Sequence, residues 1–433
     1  MQEKTTKSTL QISSLCIGFL GIQIGFALQA GNVTRILQNY GADLTQVSLF
    51  WLIAPLSGAV IQPLIGYWSD RNINSGSTRV PYLLTGGILC ALSLYALPNS
   101  NLLIALWSPL FIGAFLIIII DLSFNVSMHP LRAAVTDYLP TFQQPKGFAI
   151  QTFLISIGAI IGSTLPYILH KFLSFSSTSE SQQIADNVKW SFYIGATLLL
   201  ITVLITAKAI TSNNINPLSA AQPKASNTFT LPKIPKKMWQ LGLIQFFSWA
   251  AFFLVWIYMT PAIAQHIYAE FDYSSQSKLY ADAANYTGIL FGCYHLAASL
   301  FSLALPYLYK KTNVITTHII ALFIGGIGLL VVFNYHNVNL LYIPMICIGI
   351  AWSSILASPF ALLSRLIPHQ KIGLYFGIFN LFITVPQILV GLCSGILIQD
   401  YFEGKAIFAI IIAGMSLLLA GSTALLFRKS LKL

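Results

Sequence analysis

Long apolar runs separated by short polar breaks dominate this chain. Twelve can be marked, at 10–31, 46–68, 81–98, 102–130, 148–170, 190–209, 238–265, 284–308, 314–334, 340–364, 373–398 and 405–427. At about 1.5 Å per residue, a helix over any of them crosses roughly 30 Å of hydrocarbon. The alternating ten-residue segments of a spanning barrel are not seen. The pattern predicts an all-α membrane protein with twelve transmembrane helices. One polar stretch, 210–236, rich in Ser, Asn, Pro and Lys, interrupts the series after the sixth run. It predicts a flexible cytoplasmic linker between six-helix halves at 1–209 and 237–433. The polar start leads into the first run without a small-residue cleavage site, which predicts a spanning helix rather than a removable signal.

Composition agrees with this reading. Only 8% of the 433 residues are charged, against about 25% in a soluble domain. The placement of that charge tests the helix count. With the N-terminus put in the cytoplasm, Arg35, Lys171, Lys189, Lys278 and Lys405 fall on the outer side, and the rest of the 23 lysines and arginines on the inner side. That is the sense of the positive-inside rule, with both termini cytoplasmic. The net charge of +11 is then topology. No basic stripe with interleaved aromatics exists, so nucleic acid is not an expected partner. The five cysteines sit inside apolar runs without metal-ligand or disulfide spacing. No metal, cofactor or catalytic residue is expected, and the chain does not read as an enzyme. Short loops predict a bacterial inner membrane; oligomeric state is not legible.

The halves repeat weakly. Pro130…Leu139-Pro140…Lys146-Gly147 closes the fourth span and opens the fifth. Pro359…Ile367-Pro368…Lys371-Ile372-Gly373 does the same for the tenth and eleventh. Two repeats joined by a linker are the pattern of alternating-access carriers. The end of the second span reads Gly66-Tyr-Trp-Ser-Asp70-Arg71, with Arg79 following. Gly66 permits close helix approach, and the charges suit ion pairs with neighbouring helix ends. This segment resembles the loop motif of the major facilitator superfamily. That resemblance implies the major facilitator fold and a conformational latch of Gly66, Asp70, Arg71 and Arg79.

Of the 12 acidic residues, eight fall in outer loops or at their edges, and Glu3, Asp70 and Asp137 belong to the inner side. Asp121 alone lies deep in a span. A carboxylate there costs about 2.5–3.5 kcal/mol on insertion scales, and normally faces a cavity. Water access then decides whether it holds a proton. Asn125, His129 and Arg132 lie about 40°, 80° and 20° round the same helix from Asp121, making one polar stripe. Arg132 is about 16 Å further along the axis, out of direct reach, which leaves Asp137, another helix end or a substrate hydroxyl as its partner.

A second stripe, Gly373, Gly377, Asn380, Thr384, Gln387 and Gly391, follows helical spacing in the eleventh span. The second span adds Gln62, the first Gln23 and Gln29, and the seventh Gln245, Trp249 and Trp256. Amides with aromatic faces suit a sugar, which has hydroxyls in both hydrogen-bonding roles and flat C–H faces. Each amide also suits interhelical packing.

Four segments carry a more specific resemblance. Asp121-Leu-Ser-Phe-Asn125-Val-Ser-Met-His129-Pro130-Leu-Arg132-Ala133-Ala-Val-Thr-Asp137 is similar to D-x-x-x-N-x-x-x-G-P-x-R-A-x-x-x-D of the sucrose transporter family, the plant sucrose/proton symporters with their animal and bacterial relatives. Gly21-Ile-Gln23-Ile-Gly25-Phe-Ala27-Leu28-Gln29 resembles its first helix. Pro55-Leu-Ser-Gly58 with Gln62-Pro63 through Arg71 resembles its second, and Gly377-Ile-Phe-Asn380 with Val385-Pro386-Gln387 its eleventh. The chain departs where His129 replaces a glycine, Phe124 an asparagine, and where only Arg79 remains of a basic cluster. The resemblance implies a sugar:proton symporter for a glucoside such as sucrose or maltose, with Asp121 the proton-coupling carboxyl and Arg132 in the transport pathway. Gln23, Gln29, Gln62, Asn125, Gln245, Trp249, Asn380 and Gln387 complete the expected substrate site. The alternative is an uncoupled uniporter or an exporter of another small solute. A sodium site of the melibiose-carrier type is not expected, because 46–68 holds no carboxylate.

Overall fold

The computed structural model describes residues 6–39, 52–103, 107–176, 184–212, 233–270 and 278–432. All regular structure among them is helical. In chain order the spans are α1 (Thr9–Cys16 and Gly18–Asn39, interrupted at Ile17), α2 (Ile53–Asn74), α3 (Val80–Ala96), α4 (Pro109–Tyr138), α5 (Gln144–Leu173) and α6 (Asp186–Ser212). Then follow α7 (Lys236–Tyr268), α8 (Lys278–Lys311), α9 (Val314–Val331), α10 (Tyr342–Leu363), α11 (Ile372–Phe379 and Leu381–Ile396) and α12 (Ile407–Leu426). Eleven of these places hold helices long and apolar enough to cross a membrane. The remaining one, α2, reaches about 33 Å but carries Ser57, Gln62, Ser69, Asp70 and Arg71 along its length. Residues 213–232 of the expected linker lie outside the described residues.

Large apolar side chains such as Val60, Leu92, Phe115, Leu204, Leu300 and Leu419 are exposed on the helices. Hydrocarbon is the solvent that accepts such a surface, and helices satisfy their own backbone groups within it.

The chain divides into two units. The first comprises Met1–Gly147, Leu154–Pro232 and Pro368–Asn380; the second comprises Phe148–Phe153, Lys233–Ile367 and Leu381–Leu433. Within the first, α1 packs on α6, α3 on α4 and on α6, and α2 on α4. Within the second, α7 packs on α12, α9 on α10 and on α12, and α8 on α10. The second scheme is the first moved six helices along the chain, so the weak sequence repeat has a structural counterpart.

Two elements depart from chain order: Phe148–Phe153, near the start of α5, belongs to the second unit, and the start of α11 belongs to the first. The first part of α11, Ile372–Phe379, packs against α2 and belongs to the first unit. The helix is interrupted at Asn380, and Leu381–Ile396 continues in the second unit. The expected stripe along this helix is therefore divided, with Gly373, Gly377 and Asn380 in one unit, Thr384 and Gln387 in the other.

Candidate functional site

The polar stripe of α4 is buried in the first unit. Asp121 is 3% exposed, and Asn125, His129 and Arg132 are buried with it. Three helices meet at its upper part. Gln29 of α1 donates from Nε2 to Asp121 Oδ1 at 3.0 Å. Gln62 of α2 donates from Nε2 to Asn125 Oδ1 at 2.6 Å. Asn125 Nδ2 donates to Ser57 Oγ of α2 at 3.0 Å and to the Asp121 carbonyl at 2.9 Å. Asp121 has no cation within ion-pair distance among the described residues.

This arrangement has a chemical sign. Gln29 and Gln62 turn their NH2 groups to Asp121 and Asn125, and both Oε1 atoms are buried with no hydrogen-bond partner among the described residues. A buried polar atom left bare costs about 1–3 kcal/mol, which a donor would recover. Two amide oxygens and a carboxylate thus offer acceptors to hydroxyl groups or to a proton. Ser57 was not singled out in the sequence; its only sign there was its place one residue before Gly58 in the matched second-span segment.

A separate charged network lies where α2 ends and α3 begins. Arg79 donates from Nε to Asp137 Oδ2 at 2.6 Å, from Nη2 to Asp137 Oδ1 at 3.3 Å and to Asp70 Oδ1 at 2.7 Å, and from Nη1 to Ser69 Oγ at 2.6 Å. Asp70 in turn accepts from the amide of Gly373 at 2.8 Å and of Leu374 at 2.7 Å. Those are first-turn amides of Ile372–Phe379, whose unpaired N–H groups and dipole favour an anion. His129 Nε2 meets the Gly373 carbonyl at 2.6 Å, and Asn74 Nδ2 donates to the Gln370 carbonyl at 2.9 Å. The backbones approach closely here. A Cβ on Gly373 would stand 2.6 Å from the Gly66 carbonyl oxygen, and one on Gly377 2.6 Å from that of Gln62.

The expected latch residues meet with one difference. Gly66, Asp70 and Arg79 converge, while Arg71 is exposed. Asp137, considered as a partner of Arg132, gives both oxygens to Arg79. Ser69, Asp137 and His129 belong to this network although the sequence reading did not assign them to it. Asp137 closes the matched fourth-span segment, which was the available signal.

Of the expected substrate residues, Gln29, Gln62 and Asn125 are drawn together with Asp121. Arg132 is buried in the same unit, and Gln23 is half-buried on α1 beside Gly158 of α5. Asn380 donates from Nδ2 to the Gly58 carbonyl at 3.3 Å. Gln245, Trp249 and Gln387 lie in the second unit. Gln245 is fully buried, Trp249 and Gln387 half-buried.

Two helix-pairing schemes related by a shift of six helices, with a buried Asp-Arg ion pair where α2 ends and α3 begins, point to a class of membrane carrier. The Major Facilitator Superfamily profile matches residues 15–391 and, overlapping them, 243–431. The chain belongs to that superfamily and is a multi-pass membrane transporter. Its sequence is similar to the sucrose transport protein SUC4 of Arabidopsis thaliana, 24% identical over 425 residues that cover 87% of this chain and 81% of the relative. It is also similar to the general alpha-glucoside permease of Schizosaccharomyces pombe, 23% identical over 71% of this chain and 58% of the relative. The resemblance seen in four segments thus extends along most of the chain. Among solved structures, the Major Facilitator Superfamily transporter FucP in its outward conformation superposes with a TM-score of 0.70 at 15% identity, over 96% of this chain and 98% of that one. A bacterial homologue of the iron transporter ferroportin in its outward-facing state gives 0.69 at 13%, over 97% and 99%. At these identities the likeness is one of fold.

Proposed function

We propose that the chain carries a neutral sugar of the sucrose or maltose type together with protons by alternating access, with both termini in the cytoplasm. The short loops favour a bacterial inner membrane. The observation that carries the reading is Asp121, a buried carboxyl with no counter-ion among the described residues, held by Gln29 and bordered by the bare acceptors of Gln29 and Gln62. Coupling needs a group that is stable with a proton in one state and without it in another, and an acid held by a neutral amide, with no cation beside it among the described residues, suits that need. The relatives named for sucrose and alpha-glucoside transport support the choice of substrate. Arg79, Asp70 and Gly66 form the latch, and the cycle breaks and remakes the bonds from Gly373 and Leu374 to Asp70.

The test is sugar-evoked proton uptake in proteoliposomes containing the full chain. Sucrose or maltose is expected to drive protons inward with the sugar. Sugar uptake without proton movement identifies a uniporter, and no response to any neutral sugar identifies a carrier of another solute.

A further inference from the structure

In the second unit, α7 packs on α12 and on the second part of α11, and an apolar groove lies beside the start of α7. One face of that helix lines it with Lys236, Trp239, Gln240, Leu243 and Phe246, at spacings of three, one, three and three. Phe382 of α11 lines it too. Its ring lies against Gly242, where a Cβ would stand 2.6 Å from the ring carbons, and meets Trp239 edge-on with centroids 5.0 Å apart. Phe427, just past α12, completes the lining. The cavity holds about 450 Å³, within the roughly 300–1,000 Å³ of small-molecule sites. Trp239 and Leu243 are exposed, so the groove is open to the hydrocarbon around the helices.

The groove has the depth of one leaflet. From Lys236 to Phe246 the lining runs about 15 Å along α7, half of a hydrocarbon core of roughly 30 Å. It starts at the headgroup level, where Lys236 opens the helix and the ring of Trp239 suits the interface. It ends near the bilayer centre among Leu243 and Phe246.

The mouth of the groove is basic. Lys237 follows Lys236, and Arg428 and Lys429 follow Phe427 in a short helical turn, Arg428–Leu431. Ser430 donates its hydroxyl to Gln240 Oε1 at 2.9 Å, which ties that turn to α7. None of these cations is in an ion pair among the described residues. The described acids of the second unit are Glu270, Asp282, Asp400 and Glu403. They lie past the end of α7, at the start of α8 and past α11, on the opposite side of that unit. The mouth therefore offers positive charge with no acid of its own unit to meet it, above a groove that accepts only apolar matter. An acidic headgroup on an aliphatic chain matches both parts, since Lys and Arg near a membrane surface attract anionic lipid.

We propose that this groove holds an acyl chain of an anionic phospholipid, with the phosphate taken by Lys236, Arg428 and Lys429. The lipid bridges α7, the second part of α11 and the end of α12, so it binds the folded unit and stabilises it. The site shares no residue with the proposed sugar and proton pathway.

The test uses Trp239 as reporter in the full chain, reconstituted in neutral phosphatidylcholine bilayers. Phosphatidylglycerol or phosphatidylcholine with brominated acyl chains is added at low mole fraction. The chain has 8 tryptophans, so occupancy is read as the quenching that disappears in Trp239→Phe. Brominated phosphatidylglycerol is expected to occupy the groove about tenfold or more strongly than its neutral counterpart. Lys236→Gln and Arg428→Gln are each expected to cut that preference about fivefold. Lys310→Gln with Lys311→Gln, at the end of α8 on the same side of the unit, removes charge outside the groove and is expected to leave the preference within twofold. Equal quenching by the two lipids overturns the site. So does a preference untouched by both groove variants, or one lost equally in the α8 control, which would reflect surface charge alone. Quenching of Trp239 by neither lipid also overturns it and would identify segment 213–232 as the cover of the groove.

Discussion

Arg79 and its two carboxylates show how much depends on single side chains here. A buried charge is costly, and removing one member of a buried pair typically costs about 3–5 kcal/mol because the other is left uncompensated. Asp70 avoids that cost through Arg79 on one side and two helix amides on the other. In the proposed cycle this is the network whose bonds to Gly373 and Leu374 open and close. His129 adds a hold on the same turn through the Gly373 carbonyl, at a position where the family pattern has glycine and offers no donor. A neutral hydrogen bond contributes about 0.5–1.5 kcal/mol net, so His129→Ala is expected to raise opening of this turn about two- to tenfold. Hydrogen exchange at the Gly373 and Leu374 amides measures it directly, since both are protected only while bonded to Asp70. Unchanged exchange would remove His129 from the latch.

At the scale of elements, α2 and the first part of α11 owe their contact to glycine. Gly66 lies against the Gly373 backbone and Gly377 against Gln62 and Pro63, so the helices meet main chain to main chain. Small residues permit this where lipid supplies no hydrophobic drive for association. Gly377→Leu is expected to lower the initial transport rate about tenfold or more at equal protein in the membrane, because its Cβ has no room in the closed packing. A wild-type rate would show that this contact is not part of the cycle. The same helices show what the sequence made legible. Apolar runs located every span, because hydropathy reports contact with lipid. They do not mark the ends, because helices continue into protein: the apolar run stops at 130, whereas α4 runs on through Arg132 and Asp137 to Tyr138, its last turns buried. The break of α11 at Asn380 was not legible, since a continuous helical stripe runs through it. The burial of Asp121 was legible because it follows Ile117–Ile120 inside an apolar run. The partners of Asp70 were not, since Gly373 and Leu374 act through backbone amides and lie in the other half of the sequence.

On the scale of the whole molecule, one pairing scheme is used twice and fitted with different chemistry. The first unit places Asp121 among amides, and the repeat-related place in the second, aligned on Pro130 and Pro359, holds Ile350. In the proposed cycle the proton is therefore carried by one of the two halves. The most direct measurement is of Asp121→Asn in proteoliposomes, reading uphill sugar accumulation under a proton gradient beside sugar-for-sugar exchange at equal pH. Asparagine keeps the size of the side chain and cannot carry the proton. The account predicts that accumulation falls to the equilibrium level while exchange continues. A variant that still concentrates sugar against its gradient would contradict it.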